Sequence, residues 1–456
     1  MRSTLRRKLR RWRRFGTRPG RGAAWKPGFA AFALTITLPA PAMAVPSWNP
    51  PREISDAASA PLNLAATAGI SPTGDAVVLW HSEKGVQAVV RAAGHSFGTA
   101  RPIVGSALSM PDLRPQLAFD AKGAVLAIWS YFTPHPRFVE DGYAVDYTFG
   151  LRVASRSAAG RFGHSQTLTD RLDADPSADV AFDPNGDAVV IWTDEAGMHA
   201  AARPAGKRRF GRAQVISQTQ ADPQVTVGTG GTATAAWASQ AHGRWSVGTS
   251  FAHRDKAFGS AVALKIPGLG KSKPVIGVDG RTAVTAAWSD GGRVMAATCG
   301  VSGHCDRARA LSPAGVRAID PRVAVAADGT AVVAWRSPDG VSAALRHGHS
   351  RFGTPGRLAV FDAGQSATGL AVAVGPDGDA ATLWLVHTDA GDRVEAALRH
   401  GRRARFAKAS SLTASVPGAH WSDPQIVVDR HGNALAIFGA MIDGHPSIQG
   451  ATFDAR

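Results

Sequence analysis

Residues 320–362 read DPRVAVAADGTAVVAWRSPDGVSAALRHGHSRFGTPGRLAVFD. Short runs of alanine and β-branched residues (RVAVA, TAVVAW, VSAALRH, GRLAV) alternate with the turn signals Ala-Asp-Gly, Ser-Pro-Asp-Gly and Gly-His-Ser-Arg-Phe-Gly. Asp-Gly between alternating runs marks a hairpin, because its tight turn needs residues that tolerate φ above zero. Four antiparallel strands in about fifty residues make one blade of a β-propeller. No segment of useful length carries a 3.6-residue hydrophobic period, which sets aside helical solenoids and βαβ arrays.

The unit recurs. A glycine, five residues and a tryptophan return about every fifty residues, at Gly74/Trp80, Gly123/Trp129, Gly186/Trp192, Gly231/Trp237, Gly329/Trp335 and Gly378/Trp384. Gly432/Phe438 keeps the spacing with another aromatic, and the unit of Trp288 has its glycine displaced to Gly280. A second marker stands at the entry to strand four: Phe97, Phe162, Phe210, Phe258, Phe352 and Phe406, with Cys305 in that place in the fifth unit. Self-similarity at this period defines a repeat architecture. The expected fold is all-β: a single eight-bladed β-propeller of four-stranded antiparallel blades over residues 45–456, or seven blades if one unit is irregular. The last unit, from Pro424, runs out after its third strand, and Trp48–Ser55 matches the fourth-strand segment RFGRAQVIS (209–217) in form. The N-terminal strand is therefore expected to close the ring and remove two exposed sheet edges.

The formal charge of +16 does not point to nucleic acid. Residues 1–26 hold eleven of the 51 Lys and Arg and no acid, which leaves a surplus of about five for the rest of the chain. An apolar run from Phe29 to Leu38 follows, then Pro-Ala-Pro-Ala-Met-Ala. This is the form of a signal peptide, 1–44, with cleavage after Ala44. The apolar run is too short to span a bilayer, and no later stretch is long enough. A secreted, extracellular or periplasmic setting is expected, reached by either the general or the twin-arginine route. In that setting Cys299 and Cys305, the only cysteines, are expected to form a disulfide across the strand 3–4 hairpin, replacing the missing phenylalanine.

The repeated Trp and Phe are read as core residues between strands and blades. The fifteen histidines show no metal-ligand spacing, so neither metal nor other cofactor is expected. Asp-Pro at the start of strand one (Asp175, Asp222, Asp320, Asp423) is read as a turn cap, with a ring of carboxylates at the channel mouth as the alternative.

Function is sought where the repeat breaks. Between Trp129 and Phe162 lie about ten residues more than elsewhere, a strand 2–3 loop SYFTPHPRFVEDGYAVDYTFG (130–150) that holds all three tyrosines of the chain. Tyr131, Phe132, His135, Arg137, Tyr143, Asp146 and Tyr147 in this loop are candidate ligand-binding residues, with Trp421 in the connection GAHWSDP (418–424) expected on the same face. Aromatics beside carboxylates and an arginine suit stacking on a sugar or a protein hot spot. The other reading of the loop is a cap over the channel mouth.

Over nearly the whole chain past residue 44 the repeats resemble those of exported bacterial β-propellers of the sialidase-like and lectin-like kind. The resemblance is architectural. The sialidase Asp box S-x-D-x-G-x-x-W has two residues between Gly and Trp where this chain has five, and no Arg-Ile-Pro motif occurs. It therefore implies a fold and an exported setting, and no catalytic residue. Three functions follow: a binding module for an extracellular glycan or protein, a surface scaffold or assembly protein, and a glycoside hydrolase or lyase. The last needs paired carboxylates about 5–9.5 Å apart, for which Glu140 or Asp141 with Asp146 is the pair to inspect.

Overall fold

The same five-residue turn joins the first two strands of every repeat, and its geometry explains the glycine. In the first repeat the Ser71 N–H donates to the Asp75 carbonyl at 2.7 Å and the Gly74 N–H to the Ser71 carbonyl at 3.0 Å. Gly74 has φ +90°, a conformation that only glycine adopts without cost. Where the turn opens on aspartate, its carboxylate closes the loop: Asp183 Oδ1 accepts from the backbone N–H of Asn185 at 2.8 Å and of Asp187 at 2.9 Å. In the fifth repeat the displaced Gly280 does not take the strained position; Thr282 does, at φ +72°. A β-branched residue in the left-handed region costs about 1–2 kcal/mol. Thr282→Gly is accordingly expected to raise the unfolding free energy by about 1 kcal/mol, net of glycine's backbone entropy. A lower denaturation midpoint for this variant would show that the turn is unstrained.

The computed structural model describes residues 47–103, 114–139, 142–254, 256–401 and 405–455. The expected leader, 1–44, lies outside them. The strands form eight four-stranded antiparallel sheets, so the chain is an eight-bladed β-propeller. The strands of the sixth blade, Ile319–Val325, Ala331–Ser337, Gly340–Arg346 and Gly356–Val360, are the four runs of the quoted repeat. First strands of successive blades pack side by side around the ring, and Pro61–Ile70 of blade one packs against blade eight.

Blade eight is built from both ends of the chain. Its strands are His420–Val428, Ala434–Ile442, His445–Phe453 and Arg52–Glu53. Arg52 faces Gly450 and Glu53 faces Gln449. Beyond this pair Trp48 bridges Phe453, and the Ile54 N–H donates to the Ile448 carbonyl at 2.8 Å. The N-terminal segment is thus the outer strand of the last blade.

The core is divided among the interfaces between blades. Trp80 packs with Leu435, Ile437 and Ile448 of blade eight, and Trp192 with Leu126, Ile128 and Leu151 of blade two. Trp335 packs with Ala287 and Val294 of blade five. Each tryptophan of the repeat, and Phe438 in its place, is a wedge driven from its own blade against the preceding one, and all eight are buried; the strand-four phenylalanines are half-buried. The Cys299–Cys305 disulfide occupies the place where blades one and two set an arginine against a phenylalanine (Arg91 and Phe97, Arg156 and Phe162). Its Cα atoms are 3.9 Å apart, closer than the usual 4.4–6.8 Å, because the two residues face each other directly across a closing hairpin.

Candidate functional site

The insertion of blade two is strand, where the sequence reads as loop. The second and third strands of that blade run Val125–Val139 and Gly142–Arg156, fifteen residues each, against seven to nine in the others. Their register is unbroken from Val125 facing Arg156 to Val139 facing Gly142. The fourth strand, Gln166–Leu172, reaches only as far as Phe149, so residues 132–139 and 142–148 stand out as a two-stranded ribbon. Pro134 and Pro136 interrupt no pairing with the facing strand. The N–H groups they lack would point to the open edge, where proline blunts pairing with other chains.

Alternation along the ribbon sorts the candidate residues onto two faces. One face is wholly apolar and aromatic: Phe132, Pro134, Pro136 and Phe138, opposite Phe149, Tyr147, Val145 and Tyr143. Phe138 is 92% exposed, Tyr143 63% and Tyr147 49%. Phe138 meets Tyr143 edge to face with centroids 6.1 Å apart, and Phe132 meets Tyr147 at 5.5 Å. The other face is polar. His135 Nε2 and Thr148 Oγ1 share a hydrogen bond of 2.8 Å, and Arg137 Nε donates to Asp146 Oδ2 at 2.6 Å. That ion pair is open to water on both sides and contributes well under 1 kcal/mol.

Two candidates stand apart from this ribbon. Tyr131 is buried at its base, lying over Gly150, whose missing Cβ would sit 2.7 Å from the ring. The Arg152 guanidinium lies 4.4 Å from the centroid of that ring. Trp421 is 8% exposed and packed edge to face on Phe438 in the interface between blades seven and eight, with its Nε1–H donating to the Asp392 carbonyl at 3.0 Å. It belongs to the core, not to the surface; of that connection Gly418 and His420 are the exposed members. Glu140 and Asp141 lie outside the described residues.

At the channel, Asp320 and Asp423 have φ +56° and +53°, and each is tied to arginine. Asp320 accepts from Arg322 at 2.7 Å and from Arg336 at 3.3 Å, and Asp423 pairs with Arg114. Burial, and next the nearby Arg322 charge, push the Arg114 pKa down to about 10. Among the described residues no three His, Cys, Asp or Glu side chains are grouped to hold a metal ion.

Asp179 is half-buried between blades three and four, where it accepts from the Val180 and Val225 N–H groups, each at 2.8 Å. Burial pushes its pKa up to about 6 in spite of these two bonds. A raised carboxylate pKa means that the unfolded chain ionises first as pH rises. Between about pH 4 and 6 this residue therefore withdraws stability, on the order of 3 kcal/mol at most, and above pH 6 the loss is complete. A carbon-detected titration is expected to place the Asp179 midpoint near 6; a midpoint near 4 would show that the carboxylate keeps its hydration.

A buried feature of the blades, away from the ribbon, goes beyond the expected repeat. The third strand ends on arginine in five blades, at Arg91, Arg156, Arg203, Arg346 and Arg399, and all five are buried. The signal was present in the runs GVQAVVR (85–91), GMHAAAR (197–203) and GVSAALR (340–346). These side chains cross to neighbouring turns and blades: Arg203 Nη1 donates to Ser155 Oγ at 2.7 Å and Arg346 Nη2 to Thr285 Oγ1 at 2.8 Å. Arg203 lies over Phe182 and Phe210, and Arg346 over Phe352.

No protein-family model and no curated protein matches the chain. Among solved structures it is similar to the BP39L lectin of Burkholderia pseudomallei, with 12% identity and a TM-score of 0.51 over 78% of this chain and all of that one. It is also similar to an ulvan lyase of the polysaccharide lyase PL25 type, with 10% identity and a TM-score of 0.44 over 87% of this chain and 94% of that one. The NanB sialidase of Streptococcus pneumoniae gives 9% identity and a TM-score of 0.36 over 85% of each chain. At these identities the likeness is one of fold. The chain is an eight-bladed propeller sharing the architecture of a lectin.

Proposed function

We propose that the chain is an exported β-propeller binding module that docks an extracellular partner through the aromatic face of the blade-two ribbon. The basic segment, apolar run and Ala-Met-Ala of residues 1–44 support export. The observation that carries the binding role is the ribbon itself. It holds Phe138, Tyr143 and Tyr147 on one exposed face, with no other described element of its blade covering them. An exposed patch of large apolar side chains on a rigid projection is the mark of an interaction surface. Because the rings meet edge to face instead of lying flat, they suit insertion into a groove on a protein. The Tyr143 and Tyr147 hydroxyls beside the rings favour a second reading, stacking on a glycan, to which the lectin fold is congenial. Catalysis is the least supported role: Asp146 lies on the opposite face, tied to Arg137.

The test is an array of glycans and of extracellular proteins probed with the chain from residue 45 onward. Phe138→Ser and Tyr143→Ser are expected to weaken the strongest binder about thirtyfold each, the loss of about 2 kcal/mol typical of an exposed anchor, and to leave Tm nearly unchanged. Both variants binding as the parent does would remove the ribbon from the site.

A further inference from the structure

On the face opposite the ribbon, cavities lie between neighbouring blades. The cavity between blades two and three has a volume of about 600 Å³. Its floor holds Phe182, Phe210 and the two buried arginines Arg156 and Arg203, and its rim holds Lys122, Lys207 and Arg208. Arg156 is 7% exposed, and among the described residues its Nε and Nη1 atoms have no hydrogen-bond partner; Arg203 is 9% exposed, with Nε likewise unsatisfied. One carboxylate, Asp120, lines the same cavity, and its Oδ1 is taken by the N–H groups of Lys122 and Ala124 at 2.9 and 2.8 Å.

A guanidinium held away from water with free N–H groups is a costly arrangement unless something accepts from it. Arginine does not escape the cost by losing its proton. The favourable completion is an oxyanion, which accepts from the planar fork through two oxygens. The aromatic floor adds a surface for the apolar face of a ring, and the volume falls within the usual range for a small-ligand site. The arrangement is repeated. A cavity of about 540 Å³ between blades one and two shares Arg156 and adds Arg101 and Arg161. One of about 590 Å³ between blades three and four holds Arg203, Arg212, Arg254 and Lys256 beside a single acid, Asp187. Another of about 500 Å³ between blades seven and eight holds Arg399, Arg405 and Lys408 beside Asp379. Cations outnumber acids in every one of these cavities.

We propose that these cavities bind the acidic groups of a polyanionic glycan, with Arg156 and Arg203 receiving a sugar carboxylate or sulfate between blades two and three. Several equivalent sites around one rim suit a polymer with a repeating charge, since linked sites raise avidity without new contacts. The surface is distinct from the aromatic ribbon, so the two readings stand or fall separately.

The test is titration calorimetry of the chain from residue 45 onward with three oligosaccharides of equal length: an oligogalacturonate, a heparin fragment and neutral cellohexaose. One or both acidic probes are expected to bind, the successful arm naming the group as carboxylate or sulfate, and cellohexaose is expected not to. Arg156→Gln is expected to weaken binding about thirtyfold or more, as for loss of one partner of a buried charge pair. The exposed double variant Lys207→Glu, Arg208→Glu is expected to weaken it about tenfold with Tm unchanged, and it decides the matter alone if Arg156→Gln does not fold. Phe138→Ser is expected to bind the acidic probe normally. Failure of both acidic probes, equal affinity for cellohexaose, undiminished binding by the folded double variant, or tighter binding of duplex DNA than of either acidic probe would overturn the assignment.

Discussion

Removing residues 47–56 is expected to lower Tm by several degrees or more and to make the chain self-associate, as read by calorimetry and light scattering. The deletion strips the fourth strand from blade eight and uncovers the backbone donors and acceptors of His445–Phe453. It also removes Ile54, which is buried against Gly450, and Trp48, whose ring lies 5.7 Å from that of Phe453. Losing one buried aliphatic side chain and a partly buried indole amounts to about 3–5 kcal/mol. The larger consequence is the open edge, which offers a ready-made template to a second chain. Unchanged Tm and scattering would mean that the ring is not closed by this strand.

The second large effect is expected from Trp192→Ala. The indole is buried between blades two and three and stacks on His199, with centroids 5.4 Å apart and planes within 13°. Truncating a core aromatic costs about 3–5 kcal/mol, and a rigid ring of blades has little freedom to close the cavity left behind. Chemical denaturation should show a midpoint shifted by that amount with an unchanged slope. A cost below about 1 kcal/mol would show that the repeated aromatic is not the wedge between blades. Tyr147→Ala serves as the contrast, since its half-exposed ring should cost far less.

What could be read from the sequence was what each repeat states locally. The glycine of the Gly-x5-Trp unit answers to a backbone angle inside one turn, and the tryptophan to a wedge present in every interface. Ring closure followed from a missing fourth strand at one end and a matching segment at the other. The features that escaped depend on neighbours distant in sequence or on a conflict of local signals. Pro134, Pro136 and the Glu-Asp-Gly at 140–142 suggest a loop, although the flanking alternation of Phe132, Thr133, His135, Arg137 and Phe138 already has the period of a strand. The separation of aromatic and charged candidates onto opposite faces follows only once that register is known. Trp421 looked like a surface residue because it precedes the repeat, but blade seven covers it. An arginine at the end of a strand ordinarily reaches water; here the phenylalanine of the following hairpin and the adjoining blade enclose it, and neither is near it in the repeat's hydrophobic pattern. Thr282 shows the opposite case, in which the fold imposes the turn on a residue poorly suited to it.

The most direct test of the binding role is hydrogen–deuterium exchange of the chain with and without the partner that the arrays identify. Amide protection is expected to rise across residues 131–149 and to leave the channel-lining strands, including Asp320–Val325 and Asp423–Val428, as they are in the free protein. Protection confined to those channel strands, with the ribbon exchanging at its free rate, would contradict it.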